Sequence, residues 1–502
     1  MTSSADTKIK FIPTQEQVNI VQAFRTNKIL KINAVAGSGK SSTLMLLAED
    51  NPVKSLYVCF NKIVQQEAQS KFPTHVECRT THSLAWANFG KHLQHKISRP
   101  VGKYKNVAGT ASEVALYYAV NEIRLSDCAI KPNAIAALAR ETVKNYEFSA
   151  DLVLNSDNLP KKDIFNMVKS HPELDYSYVS SIVLSLARKI WSDRINPRSV
   201  VLSTHETYLK VWQLSNPLLD YSIVYLDEAQ DTNAVVMDVI RKQVNCKIVY
   251  VGDTFQSIYQ FRKAVNAMEM IDAPSLILSK SFRYGEAIAD LATFIIDGAI
   301  EVQGYEKVQS KIGKVKDKEY TMIFRTNAGL IDKAVELIKQ GKQIFCDIDT
   351  NKFKSQLESA EALFNKDYKQ VKHQDVAMYS NWNDLVAALD QDGELKRIVN
   401  IVEQRKTKQY LFALDNIKTR KQNYDVLLIT AHKSKGMEWS NVVIGDDFPI
   451  KKVLKQESEE GFNQAEVNLF YVACTRAINN IQLPKEFEDV FNQVLEDYHA
   501  KE

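Results

Sequence analysis

The segment that decides the fold is Lys28-Ile-Leu-Lys-Ile-Asn33, which continues as Ala34-Val-Ala-Gly-Ser-Gly-Lys-Ser41 and then as a helical run, Ser42–Glu49. An apolar strand that passes through a small-residue loop into a helix is typical of a phosphate loop, because backbone N–H groups converge there on an anion. The pattern G-x-x-x-x-G-K-[ST] is met, except that Ala34 stands where the first glycine belongs. A chance turn is the alternative, and the position between strand and helix argues against it. We therefore expect Lys40 to bind the β and γ phosphates and the Ser41 hydroxyl to bind Mg²⁺.

Strands and helices alternate around this segment. The further strands expected nearby are Ser55–Phe60, Tyr221–Leu226 and Cys246–Val251, and an amphipathic helix is expected at Ile63–Phe72. Such alternation predicts a parallel sheet covered by helices. Helix-like runs in the intervening sequence predict an inserted helical block; they are Ala111–Arg124, Ala134–Phe148 and Tyr178–Ile195.

A second α/β set follows along the chain. Its strands are expected at Ser275–Leu278, Tyr320–Phe324, Gln343–Cys346, Val426–Thr430 and Asn441–Gly445. A mostly helical stretch, 347–423, interrupts this set. The expected fold class is therefore α/β, with two parallel-sheet units that each carry a mainly helical insertion.

Composition narrows the class of protein without naming a substrate. The 502 residues carry 64 Lys and Arg against 61 Asp and Glu, so the net charge of +3 is uninformative about nucleic acid. The six cysteines form no C-x-x-C pair, which favours a reduced, intracellular protein over a disulfide, zinc or iron–sulfur framework. Neither a signal peptide nor an apolar run of ~18 residues is recognisable, so we expect no membrane association.

Two acidic residues follow a strand directly, in Asp227-Glu-Ala-Gln-Asp231. A buried strand that ends in a carboxylate pair can place one on a metal ion and leave the other to deprotonate an attacking water. We expect Asp227 to be the Mg²⁺ ligand and Glu228 the general base. An acidic first turn of a helix would explain the same residues, but the preceding phosphate loop favours a Mg²⁺-dependent nucleoside triphosphatase.

A third segment, Val251–Ala264, ends a strand with polar residues and continues with aromatic ones. Gln256 near a γ-phosphate can sense hydrolysis. Tyr259 and Phe261, expected at a helix start, can stack on bases, a contact worth ~1–3 kcal/mol per base. Packing in the core is the alternative for both aromatic residues.

Taken in chain order, these segments resemble the motifs of superfamily 1 DNA helicases of the UvrD type. The matching segments are Pro13–Gln17, Phe60–Lys62, Thr80–Leu84, Leu278–Arg283, Ile323–Asn327, Thr430–Glu438 and Glu466–Ala477. Within that family, segments such as Thr204–Leu214 look most like the F-box DNA helicases. The first match begins at Pro13, so we expect no F-box and carry over no ubiquitin-ligase role.

The resemblance implies a role for each matching position. Gln17 would read adenine, Phe282 would stack on it and Glu438 would contact the nucleotide sugar. Arg283 and Arg476 would reach the γ-phosphate and join Lys40, Glu228 and Gln256 as the catalytic set. The nucleotide-binding residues of the loop would be Ala34, Ala36, Gly37, Ser38, Gly39, Lys40, Ser41 and Ser42. The DNA-contacting residues would be Phe60, Asn61, Thr80, His82, Tyr259, Phe261, Arg262, Thr430 and His432.

The same resemblance implies two tandem RecA-like cores with the nucleotide in the cleft between them. The expected bounds are 1–87 with 200–272 for the first core, 88–199 for its helical insertion, 273–346 with 424–502 for the second core, and 347–423 for a reduced second insertion. The second insertion is much smaller than its counterpart in UvrD-type relatives. We expect it to be too small to swing as a regulatory lid.

The function implied is an ATP-dependent DNA helicase that moves 3′→5′ on single-stranded DNA and unwinds duplex in repair, recombination or replication. ATP and Mg²⁺ would be its cofactors. Its partners would be single-stranded DNA, single-strand/duplex junctions and recombination or replication proteins, with the protein itself a monomer. Two alternatives stay open: a translocase that strips proteins from DNA or acts on RNA, and a nucleotide-gated signalling subunit such as one in antiviral defence. The location would be cytoplasmic in a bacterium or virus and nuclear in a eukaryote.

Overall fold

The computed structural model describes residues 12–59, 61–97, 109–126, 129–259, 267–377, 379, 381–387, 393–417, 424–454 and 464–499. These residues form two compact units. The first unit comprises the described residues up to Ala34 and those within Lys40–Thr254 and Tyr259–Leu278. The second unit comprises Val35–Gly39, Phe255–Ile258 and the described residues from Ser279 onward.

The first unit is built on a six-stranded parallel sheet. Its strands are β1 (Ile29–Ala34), β2 (Ser55–Cys59), β3 (Val76–Thr80), β6 (Ile223–Leu226), β7 (Lys247–Gly252) and β8 (Ser275–Leu278). They lie in the order β3-β2-β6-β7-β1-β8. Two further short strands, β4 (Ile123–Arg124) and β5 (Ala129–Ile130), pair antiparallel away from this sheet.

Twelve helices are described in the first unit. They are α1 (Gln15–Thr26), α2 (Lys40–Asp50), α3 (Lys62–Lys71), α4 (Thr81–Ala85), α5 (Lys91–Ile97), α6 (Ala111–Tyr117), α7 (Pro132–Phe148), α8 (Lys161–Ser170), α9 (Tyr176–Ile195), α10 (His205–Leu214), α11 (Ala234–Arg241) and α12 (Ala267–Met270). A π-helical turn, Trp86–Gly90, joins α4 to α5. Helices α6–α9 have a hydrophobic cluster of their own, centred on residues such as Ile135, Val183 and Ile190.

Helix α10 connects this helical block to the sheet. Lys210 is fully buried and donates to the carbonyl oxygens of Ser149 (2.8 Å) and Asp151 (2.5 Å) just beyond α7. Burial lowers the pKa of Lys210 to about 8. On its other side, α10 contributes Trp212 to the cluster that contains β2, β6 and β7 side chains. Helix α10 therefore packs against both the helical block and the sheet.

The second unit is built on another six-stranded parallel sheet. Its strands are β9 (Lys311–Ile312), β10 (Tyr320–Phe324), β11 (Ile344–Cys346), β12 (Val426–Thr430), β13 (Trp439–Ile444) and β14 (Ala477–Gln482), in the order β11-β12-β10-β13-β14-β9. The expected α/β class with large parallel sheets is thus confirmed.

Eleven helices are described in the second unit. They are α13 (Glu286–Ile295), α14 (Asn327–Lys339), α15 (Thr350–Phe364), α16 (Gln374–Ala377), α17 (Trp382–Ala387), α18 (Gly393–Glu403), α19 (Thr407–Asn416), α20 (Ala431–Ser434), α21 (Ile450–Val453), α22 (Gln464–Cys474) and α23 (Lys485–His499). Helices α15–α19 share one hydrophobic cluster with α14 and strands β10–β12, in which Leu357 and Ile398 pack with Leu330 and Leu428. The second insertion is consequently continuous with the core of its unit.

Two expectations about elements are wrong. Ser275–Leu278 was expected in the second α/β set, but as β8 it pairs with β1 in the first sheet. The order of strands in a parallel sheet is set by long-range crossover connections, so a strand's position along the chain does not decide which sheet it joins. The run Ala111–Arg124 was expected as one helix, but α6 ends at Tyr117, and Ala119 takes a left-handed conformation (φ +48°) before β4. Within the described residues, no helix is both long and apolar enough to cross a membrane.

Candidate nucleotide and DNA site

The phosphate loop combines a strand end, two left-handed glycines and a helix start. β1 ends at Ala34 and α2 begins at Lys40, and between them Gly37 (φ +76°) and Gly39 (φ +80°) adopt backbone conformations that side chains disfavour. Ser38 is 2% exposed, and its Oγ has no hydrogen-bond partner among the described residues. A buried hydroxyl without a protein partner in such a loop fits an anion that accepts its hydrogen bond.

The cation of the loop is surrounded by carboxylates in the first unit. Lys40 Nζ lies 3.2 Å from Glu228 Oε1. Burial disfavours the charged ammonium, but Glu228, Asp253 and Asp227 outweigh burial and hold the pKa of Lys40 above its ordinary value. Lys40 is therefore a constant positive charge at the start of α2. Ser41, exposed, and Ser42, half-buried, follow it in the first turn.

Asp227 is fixed by donors on both of its oxygens. Its Oδ2 accepts a hydrogen bond from Tyr57 Oη at 2.5 Å, and its Oδ1 accepts one from the Glu228 N–H at 2.9 Å. Burial, and then the neighbouring Glu228, raises the pKa of Asp227. Burial, and then Asp227, also raises the pKa of Tyr57 above its ordinary value, so the phenol remains a donor.

Glu228 is held in an unusual conformation. Its backbone is left-handed (φ +51°, ψ +44°), a strain of ~1–3 kcal/mol for a residue with a side chain. Its Oε2 accepts from Gln230 Nε2 at 2.5 Å, and Gln230 Oε1 accepts from the Asp253 N–H at 3.1 Å. A Cβ on Gly252 would lie 2.2 Å from Gln230 Oε1, so any larger residue there would displace the Gln230 amide. Gln230 thus ties the carboxylate of Glu228 to the end of β7.

In the second unit, loop residues 35–39 pack against the segment that follows β8. Ser281 Oγ donates to the Ala36 carbonyl at 2.8 Å, and the Phe282 N–H donates to the Gly37 carbonyl at 2.8 Å. A Cβ on Gly37 would lie 2.7 Å from the Cβ of Arg283. The structure therefore brings the phosphate loop next to two of the expected nucleotide-contacting residues, Phe282 and Arg283.

The two expected arginine fingers differ in their surroundings. Arg283 Nε donates to Glu438 Oε2 at 2.7 Å and its Nη1 donates to the Thr475 carbonyl at 2.9 Å. Arg476 is 1% exposed and donates to the Val472 carbonyl at 2.9 Å, among other main-chain and hydroxyl acceptors. Its Nη2 also lies 3.4 Å from Gln256 Oε1. Arg283, Glu438, Gln256 and Arg476 thus belong to one connected polar group with Thr475.

The expected adenine-contacting residues are placed in contrasting ways. Gln17 is 1% exposed; its Oε1 accepts from the Thr14 N–H at 3.0 Å, and its Nε2 donates to Thr43 Oγ1 at 3.1 Å. Both ends of this amide are thus engaged within the first unit. Phe282 is 40% exposed, and its ring centroid lies 5.5 Å from that of Tyr305.

The expected DNA-contacting residues of the first unit lie at strand ends. Asn61 and Thr80 cap α3 and α4, with their side chains accepting from the N–H groups of Val64 (2.9 Å) and Ser83 (3.2 Å). His82 Nε2 lies 3.3 Å from Glu206 Oε1 on α10. His82, Glu206 and Tyr259 line a cavity of about 370 Å³ that also reaches Asp227 and Glu228. The expected DNA-contacting residues and the carboxylate pair therefore border one cavity.

The remaining expected DNA contacts are only partly described. Thr430 ends β12 and is buried, and His432 follows it in α20 of the second unit. Phe60, Phe261 and Arg262 lie outside the described residues, and Tyr259, expected with Phe261 at a helix start, lies in neither a helix nor a strand.

A magnesium site is compatible with the residues present. Among the described residues, no group of three or more His, Cys, Asp or Glu side chains is arranged to hold a metal. Mg²⁺ is commonly bound through one or two carboxylates together with substrate phosphates and water. Asp227, in its polar cradle, and the hydroxyl of Ser41 at the start of α2 match that donor set.

Three residues that the geometry links to this site were not anticipated from sequence: Tyr57, Gln230 and Glu206. Gln230 lies inside the acidic segment 227–231, and that proximity was the available signal. Tyr57 and Glu206 act across strands and helices distant in sequence. Only the register Tyr57↔Tyr225 of β2 on β6 brings Tyr57 beside the residues that precede Asp227.

Comparison with known families agrees with this geometry. The UvrD/REP helicase N-terminal domain matches residues 13–271, and the UvrD-like helicase C-terminal domain matches residues 221–483. The chain belongs to the UvrD-like helicase family. It is similar to F-box DNA helicase protein 1 of Schizosaccharomyces pombe, with 28% identity over 92% of this chain and 56% of that protein. It is similar also to F-box DNA helicase 1 of Gallus gallus, with 27% identity over 97% of this chain and 50% of that protein. The chain thus spans about half the length of these relatives.

Proposed function

We propose that this protein is an ATP-dependent DNA helicase that moves 3′→5′ along single-stranded DNA and unwinds duplex at single-strand/duplex junctions, as a monomer, in repair, recombination or replication. The observation that carries the proposal is the group formed by Lys40, Glu228, Asp227 and Asp253 at a glycine phosphate loop. Family membership and the names of the two relatives support DNA as the substrate.

ATP binding and hydrolysis use this group in a defined order. Lys40 binds the β and γ phosphates, and in doing so exchanges its ion pair with Glu228 for phosphate oxygens. Glu228, released from Lys40 but still held by Gln230, accepts the proton of the attacking water. Arg283 and Arg476 stabilise the charge that develops on the transferring phosphate.

Magnesium would be bound together with the phosphates of ATP. Asp227 and Ser41 would hold it, and it would neutralise charge on the phosphate oxygens. The contribution of the protein itself is orientation: Tyr57 and the Glu228 N–H fix the carboxylate of Asp227.

A strand-displacement assay tests the activity. Duplexes with a 3′ or a 5′ single-stranded tail, made of DNA or of RNA, are incubated with the protein and ATP. We expect displacement from 3′-tailed DNA alone. A translocase without strong unwinding would instead remove a bound protein block without displacing strands, and a nucleotide-gated subunit would do neither.

Two variants tie that activity to the site. Lys40→Ala should abolish ATP turnover because it removes the cation from the phosphates. Glu228→Gln keeps the shape of the side chain but lacks the base, so ATP should still bind while turnover falls by ~10²–10⁴-fold. Wild-type ATP turnover by Lys40→Ala would contradict the nucleotide assignment.

A further inference from the structure

Tyr57 lies beside the acidic end of β6 and takes part in none of the chemical steps of ATP hydrolysis. It belongs to β2, where it faces Tyr225 of β6 in the parallel register. It is 1% exposed, and its hydroxyl reaches past Tyr225 to the carboxylate that follows the strand. A buried tyrosine needs a hydrogen-bond partner, and here the partner is Asp227.

The position of the Tyr57 ring is fixed by packing. Its centroid lies 4.8 Å from that of Phe72, at an interplanar angle of 34°. Phe72, the residue after α3, is itself buried and belongs to the same hydrophobic cluster as Tyr57 and Tyr225. The hydroxyl therefore cannot follow the carboxylate if the carboxylate rotates.

The two hydrogen bonds on Asp227 then set the plane of its carboxylate. Tyr57 donates to Oδ2 and the Glu228 N–H donates to Oδ1. A carboxylate has about four acceptor positions, and these donors fill one on each oxygen. Groups that orient a metal ligand in this way commonly contribute 10–100-fold to metal affinity or activity.

We propose that Tyr57 is a positioning residue, which acts through Asp227 to hold that carboxylate in the orientation that receives the magnesium ion of the nucleotide. This inference rests on the proposed nucleotide site. It assigns no proton transfer and no direct substrate contact to Tyr57.

Nucleotide binding without turnover tests the proposal. The full chain is titrated with a fluorescent N-methylanthraniloyl derivative of ADP, once in EDTA and once at increasing Mg²⁺ concentrations. Tyr57→Phe removes only the hydroxyl and keeps the ring against Phe72. Tyr225→Phe is the matched control, because Tyr225 is equally buried on the facing strand and its hydroxyl neighbours Ser55 instead of a carboxylate.

We expect Tyr57→Phe to raise the Mg²⁺ concentration for half-maximal binding by about tenfold or more, with binding in EDTA changed less than twofold. Tyr225→Phe should change neither. Phe72→Leu keeps the hydroxyl but loosens the ring, and should produce a smaller rise in the same constant. This third variant carries the test if Tyr57→Phe does not fold.

Two negative results are distinguishable. In the first, binding by wild type depends on Mg²⁺ and Lys40→Ala binds weakly, but Tyr57→Phe and Tyr225→Phe show the same Mg²⁺ dependence. That result overturns the role of Tyr57 alone. If wild type binds the nucleotide equally well with and without Mg²⁺, and Lys40→Ala binds it as tightly as wild type, the proposed site is wrong and the role of Tyr57 falls with it.

Discussion

Replacement of Gln230 by methionine should separate the positioning of the catalytic base from its chemistry. Gln230 is fully buried; it donates to Glu228 Oε2 at 2.5 Å and accepts from the Asp253 N–H at 3.1 Å. Methionine has a similar volume and makes neither bond. The perturbation therefore removes two hydrogen bonds while keeping the general base in the sequence.

The size of the effect follows from the two bonds. Asp253 is 1% exposed, and a buried N–H that loses its acceptor costs ~1–3 kcal/mol. The side chain of Glu228 is 30% exposed, so water can replace the lost donor there, and the cost falls to ~0.5–1 kcal/mol. Together the free energy of unfolding should fall by about 1.5–4 kcal/mol, or roughly 3–15 °C in the melting temperature. A carboxylate displaced by about 1 Å should lower ATP turnover by ~10²-fold.

The assay compares Gln230→Met with Gln243→Met. Gln243 is also buried in the first unit and bonds to three backbone groups, those of Pro217, Leu219 and Val239. Both variants should lose stability in urea unfolding, followed by circular dichroism. Only Gln230→Met should lose turnover, measured at a temperature where both are folded. Equal turnover in the two variants would refute the idea that Gln230 positions Glu228.

Three further results are expected. Arg283→Ala should lower DNA-stimulated ATP turnover at least tenfold with little change in melting temperature. Arg476 is buried, so Arg476→Ala should lower both turnover and melting temperature. Unchanged turnover in either variant would contradict the assignment of that arginine. Because burial lowers the pKa of Lys210 to about 8 while an unfolded lysine titrates near ~10.4, the unfolded state binds more protons between those values. The unfolding free energy of wild type should therefore rise relative to Lys210→Met from pH 8 to 10; a parallel pH profile would contradict this. Replacement of residues 350–420 by a Gly/Ser linker should yield protein that aggregates on size-exclusion chromatography, because one hydrophobic cluster joins this segment to the second sheet. A deletion variant that stays folded and unwinds DNA faster than wild type would contradict this expectation.

Local sequence predicts the parts of this molecule that depend on local physics. The strand, loop and helix around residues 28–49 were foreseeable because glycine freedom and helix termini act over a few residues. The pair Asp227 and Glu228 was foreseeable for the same reason, since both follow a recognisable apolar strand directly. The left-handed backbone of Glu228 was not, because nothing in its residue type demands it.

Contacts that depend on strand order were beyond reach. β8 was expected in the second sheet, but its place beside β1 in the first sheet is decided by a crossover and not by its own residues. The bond of Tyr57 to Asp227 depends on the register of β2 against β6, and the contact of Glu206 with His82 depends on how α10 returns from the helical block. Sequence predicts candidate site residues, and tertiary packing determines which residues hold them in place.

The placement of β1 has a consequence for how the chain folds during synthesis. The strand that carries the phosphate loop lies between β7 and β8. The backbone of β1 therefore cannot pair until its partners, such as Ile248 for Ile29 and Ser275 for Lys31, have been synthesised. At a synthesis rate of ~5–20 residues per second, that interval is on the order of tens of seconds. During it, both edges of an apolar strand are open to pairing with other chains. A nascent chain stalled before β7 should therefore depend on chaperones, whereas one released just after β8 should not.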